Sequence, residues 1–124
     1  MRIDEMPAGR ECDALVAEKV MGYTLSELSL PAYPKYKLFD IESGEFSGYV
    51  KEVSHYSTDI AAAWEVVEKM KNYLFVCGRT DDGIWEAYFF PVNSGIGKLS
   101  EAHGDTAPSA ICRAALKTMK VVEI

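Results

Sequence analysis

Apolar and polar positions alternate at helical spacing most cleanly over residues 56–71, YSTDIAAAWEVVEKMK. Ile60, Ala63, Trp64, Val67 and Met70 make one apolar stripe, and Glu65, Glu68, Lys69 and Lys71 face the other way. The pattern predicts an amphipathic helix with Trp64 in the core. Ser57 and Thr58 stand before it as candidate N-caps, and Asp59 places a negative charge in the first turn. A second helix is predicted over 7–21. Pro7 suits its first turn, Gly22 its stop, and Cys12, Leu15, Val16 and Val20 its apolar face. Glu11, Asp13 and Glu18 read as its solvent side. A third helix starts near Thr106, with Asp105 and Thr106 as capping types and Pro108 in the first turn. Ile111, Cys112, Ala115, Leu116 and Met119 form its stripe.

Strand-like runs lie between the helices. Residues 35–41 and 46–53 flank a Ser43-Gly44 turn and predict a strand pair. Residues 73–79, YLFVCGR, are rich in β-formers, and Asp82-Gly83 signals a hairpin to 84–92. Pro91 places the end of that second run at a sheet edge or at the end of its ladder. Because 73–79 is apolar at both parities, it predicts a strand covered on both faces. Residues 23–34 read as a connection, 93–105 as a glycine-rich loop, and 121–124 as a tail that adds a strand or frays.

The order helix, strands, helix, hairpin, helix predicts the α/β class. The expected architecture is a three-layer α/β/α sandwich with a mainly antiparallel sheet and three main helices, in one domain over 1–124. A two-layer α+β sheet is the alternative.

Composition narrows the function classes. A chain of 124 residues can bury a real core as one domain. Its formal net charge of −6 argues against non-specific nucleic-acid binding, though not against a local basic pocket for a small anion. No apolar run is long enough for a membrane span, and MRIDEMPAGRE lacks the apolar centre of a signal peptide, so a cytoplasmic protein is expected. Cys12, Cys77 and Cys112 are odd in number and far apart, which predicts small buried thiols and no disulfide framework. With only His55 and His103 beside them, no run has metal-ligand spacing, and no cofactor is implied.

Candidate chemistry is thin. Gly95-x-Gly97-Lys98 is not a P-loop, because Val92 and Leu99 stand where glycine and Ser or Thr are needed. The loop's N–H groups, Lys98 and the helix start at Thr106 could still cradle an anion, against the plainer reading of a surface loop. Ser54, His55, Tyr56, Ser57, Thr58 and Asp59 gather hydroxyls and N–H groups at another helix start, with capping as the plainer reading. Arg10 and Arg113 are forks for a carboxylate or phosphate, or surface ion pairs. Trp85 and Tyr88 differ in parity, so they point to opposite faces and one is free to stack on a ligand base. Ser57, His55 and Asp59 make a triad by name only, and no nucleophile elbow is present, which points away from an enzyme.

The segments AGRECDALVAEKVMG (8–22), YSTDIAAAWEVVEKM (56–70) and TAPSAICRAALK (106–117) resemble, in order, the phage ABA sandwich domain of small phage and prophage proteins. The resemblance implies an α/β/α sandwich. Ser109 departs from it, standing where an apolar residue is usual. The family context implies an accessory protein of the infected host's cytoplasm that sequesters a small nucleotide-derived signal of antiviral defence without catalysis. Its ligand would bind at His55, Tyr56, Ser57, Thr58, Asp59, Arg10, Lys98, Thr106, Arg113 and Trp85, with several copies sharing the pocket as a homo-oligomer. The alternative is an interaction module that inhibits a host or phage protein.

Overall fold

The computed structural model describes residues 2–92 and 100–121. A 3-10 turn at Ile3–Glu5 precedes α1 (Arg10–Lys19), β1 (Lys35–Phe39), β2 (Phe46–Glu52), α2 (Ile60–Lys69), β3 (Tyr73–Arg79), β4 (Trp85–Pro91), β5 (Ser100–Gly104) and α3 (Ala107–Thr118). All strand pairing is antiparallel: β1 and β2 form a hairpin, and β3-β4-β5 form a meander. Among the described residues the result is a mixed α/β fold of three α-helices and two antiparallel sheets. No described helix is long and apolar enough to cross a membrane.

Helix α3 is the centre. Ala110, Ile111, Cys112, Ala114, Ala115 and Leu116 are all buried, so it is enclosed on nearly every side. It lies on all three strands of the meander, and α1 and α2 pack against it. Its alanines let those neighbours approach closely. Ala87 and Phe89 of β4, Val16 and Ala17 of α1, and Ala63 and Val66 of α2 complete the core. Ser109 is buried where β5 meets α3. A Cβ added to Gly104 would lie 2.8 Å from Ala110 N and 3.1 Å from Ser109 Cβ, so two small residues face each other at this approach.

Several expectations change. Residues 100–104 are a strand and not loop, with Ala102 and Gly104 inward and His103 outward. Pro91 ends β4, which is the central strand, so it marks the end of the ladder. The buried side of α2 is Ala62, Ala63, Val66 and Met70, which leaves Ile60 and Trp64 about half exposed, at 53% and 51%. Its N-cap is Asp59, which accepts a 3.1 Å bond from Ala61 N–H, and not Ser57 or Thr58. Asp13, expected on the wet side of α1, is fully buried. The strand β3 is covered on one face only. Tyr73, Phe75 and Cys77 turn inward, while Leu74 and Val76 are 60% and 53% exposed. Among the described residues no helix covers that outer face, so a second helical layer across the sheet is not formed there. The loop with Gly95, Gly97 and Lys98 and the tail beyond Val121 lie outside the described residues.

Candidate functional site

The polar segment before α2 is built inward. Tyr56 and Ser57 are buried, with Tyr56 N–H bonded to Ser54 O and both Thr58 and Asp59 N–H bonded to His55 O. Ser57 N–H and Oγ donate to Asp13 Oδ1 at 2.7 and 2.6 Å, and Gly9 N–H donates to Ser57 Oγ at 2.8 Å. Arg10 completes the cluster. Its Nη1 lies 2.7 Å from Asp13 Oδ2, and the same guanidinium bonds the carbonyls of Val53 and Ser54. These contacts pin α1 to the chain entering α2. Burial drives the Tyr56 hydroxyl well above the usual tyrosine range. His55 is exposed, 3.9 Å from Glu52. The anion position at the start of α2 is taken by the Asp59 carboxylate itself.

Arg113 is likewise bound to main chain. Its Nε and Nη2 donate to Met6 O at 3.1 and 2.6 Å, and its Nη1 to His103 O at 2.8 Å. The guanidinium therefore ties α3 to the N-terminal segment and to β5. At the start of α3, Ser109 N–H bonds Thr106 Oγ1 at 3.3 Å and Ala110 N–H bonds Thr106 O at 3.1 Å. Pro108 has no N–H. Ala107 N–H is the donor of that turn with no partner among the described groups. Beneath this helix the Cys12 and Cys112 thiols face each other between α1 and α3. The hydrogen bond from Cys112 lowers Cys12, and that bond together with burial raises Cys112.

Two residues expected at a site do come together. Trp85 and Thr106 line a groove of about 460 Å³ with Ile60, Trp64, Phe75, Cys77 and the first turn of α3. That volume falls in the usual range for small-molecule sites. The Trp64 and Phe75 rings meet edge to face at 5.9 Å. The Arg79 guanidinium sits 5.8 Å over the Trp85 ring and makes no ion pair with a described residue. Trp85 faces the core side and Tyr88 the outer face, as their parity requires. Burial raises the Cys77 thiol in the groove.

The groove gathers Trp85 and Thr106, while Arg10, Arg113 and Ser57 are spent on internal bonds, Tyr56 is buried in the core, and Lys98 lies outside the described residues. Sequence reasoning missed Trp64, which the stripe placed in the core, and Arg79. Only the odd position of Trp64 beside the small residues Ala61, Ala62 and Ala63 hints at the rotation.

No curated protein matches the chain. Its fold is similar to the 2.0 Å crystal structure of a phage protein from Bacillus cereus ATCC 14579. The two share 26% identity with a TM-score of 0.66, over 90% of this chain and 92% of that one. Residues 14–116, which include α2, both strands of the groove and nearly all of α3, match the phage ABA sandwich domain. The chain belongs to the phage ABA sandwich domain family.

Proposed function

We propose that this protein is a phage accessory protein that binds a small nucleotide-like ligand in the groove and sequesters it without chemistry. The observation that carries the reading is the groove itself, where Trp64, Phe75 and Trp85 line a cleft at the start of α3. A planar base stacks on an aromatic face, for about 1–3 kcal/mol per base. Arg79 beside Trp85, the Ala107 N–H that bonds no described group, and the positive end of the α3 dipole favour the phosphates. In a chain of net charge −6, such a local cation is what an anionic ligand needs. The inward use of Arg10, Arg113 and Ser57 moves the site away from them. The role that fits is counter-defence in the host cytoplasm, by withdrawing a nucleotide-derived immune signal.

The test is to incubate purified protein with cyclic nucleotides and cyclic ADP-ribose isomers, then follow the melting shift and tryptophan fluorescence. A ligand that raises the melting temperature should be released unchanged by heat. Trp85→Ala should weaken its binding by about tenfold or more, the value of one lost stacking contact. No shift with any of these compounds sinks the reading, and an altered ligand makes the protein an enzyme.

The second reading is a module that inhibits a host or phage protein. It is favoured by the β1–β2 hairpin, where Phe39, Ile41, Phe46 and Tyr49 all stand exposed. Capture of a single host protein that Phe46→Ser abolishes would select it.

A further inference from the structure

The two edges of the meander are treated differently. On the outer edge of β5, Lys117 Nζ donates to Glu101 O at 2.7 Å and Arg113 Nη1 donates to His103 O at 2.8 Å. Two cations of α3 thus occupy the carbonyls that a further strand would need. The hairpin edge at β1 is also occupied, by Ser26 N–H on Lys35 O and Lys37 N–H on Thr24 O. Among the described residues the outer edge of β3 has no such guard. Residues 74–79 make main-chain bonds to β4 and to no other described segment. The strand carries no proline, lysine or bulge, and it runs in unbroken register from Tyr73↔Pro91 to Arg79↔Trp85. Exposed edges of this kind are the ones that pair.

We infer that the β3 edge pairs antiparallel with β3 of a second copy of this chain, joining two meanders into one six-stranded sheet. The strand is complementary to itself. Centred on Val76, the pairing sets Val76 against the partner's Val76, Leu74 against the partner's Gly78, and Phe75 against the partner's Cys77. Leu74 and Phe75 each meet a smaller side chain, and the parity keeps every residue on its own face. Arg79 falls opposite the partner's Tyr73, so the strand's one charge never meets its own copy. Leu74 and Val76, now exposed on the outer face, then form a continuous apolar row across the two-fold axis. On the core side, the partner's Phe75 and Cys77 arrive beside the groove, so a second copy walls the open side of the site. The pairing does not depend on any ligand, and its test reads mass alone.

Sedimentation equilibrium of the full chain, without ligand, should give twice the chain mass. Val76→Asp sets two carboxylates against each other across the axis and should weaken association by about tenfold or more. Val76→Cys, made with Cys77→Ala, should form a disulfide-linked dimer under mild oxidation, while Leu74→Cys in that background should not. Directly opposed strand residues come within disulfide reach, and Leu74 instead faces glycine. A wild-type chain that sediments as a monomer at high concentration overturns the inference. So does a folded Val76→Asp that dimerises undiminished, or cross-linking at 74 and not at 76. The cysteine pair decides the matter if Val76→Asp fails to fold.

Discussion

Asp13 accepts two hydrogen bonds from Ser57 and an ion pair from Arg10 while shut off from solvent. A buried carboxylate persists only with such partners. Asp13→Ala leaves a largely buried guanidinium, whose Nε already lacks a partner, and strands the Ser57 N–H. The expected loss is about 3–5 kcal/mol, a large share of a typical stability of about 5–15 kcal/mol. Urea unfolding measures it, and a loss under about 1 kcal/mol would show that the cluster does not hold the fold. Gly104→Ala drives a Cβ to 2.8 Å from the main chain of α3, which cannot yield as a side chain could. We expect a lower melting temperature, equivalent to about 1–3 kcal/mol. Neither site was legible in the sequence. Asp13 lies on the polar side of a helical wheel, and only the arrival of Ser57 from 44 positions away makes that side an interior.

At the scale of elements, the turn signals were sound because they rest on local backbone chemistry. Gly44 and Gly83 both take positive φ, 73° and 82°, as the turns after β1 and β3 require. The strand β5 escaped because its inward residues are alanine and glycine, which leave almost no hydrophobic alternation to read. The hairpin β1–β2 is the element least supported by packing. The stacked rings of Tyr23 and Tyr36, 4.2 Å apart, and the Arg10–Glu52 contact at 3.5 Å help to hold its base. A two-stranded hairpin is marginal by itself. Hydrogen exchange should therefore release the amides near Phe39 and Phe46 well before those of Phe89 and Ala87 in central β4. Equal protection in the two regions would mean that the hairpin is held by something more than this chain.

The whole molecule carries a pH prediction. Burial raises the hydroxyls of Tyr23, Tyr36 and Tyr56, and the bond from Tyr88 to Glu86 Oε2, 2.7 Å long, pushes Tyr88 up to about 12. Groups raised in the folded state favour folding fully below their unfolded value, about 10 for tyrosine, and lose that contribution as pH climbs through the folded value. The tyrosine contribution should hold up to about pH 10 and fall beyond it, after the Cys77 and Cys112 thiols, also raised, begin to lose theirs above about 8.5. Circular dichroism followed alongside phenolate absorbance checks this, and Glu86→Gln should bring one tyrosine back toward the ordinary range. Unfolding that precedes any phenolate signal would contradict it.

The sequence by itself determined three helices, the two hairpins, the mixed α/β class and the family, because periodicity, caps and turns are local properties. It also determined that Trp85 and Tyr88 part company, since parity along a strand is local too. Only the tertiary structure decided which faces are dry. Helix α3 takes the centre, so the α2 stripe turns toward alanines and leaves Trp64 in a groove. The arginines go to carbonyls that the chain brings from afar, and one face of β3 stays open. Burial depends on which segments arrive from elsewhere in the chain, and no single window of sequence contains that.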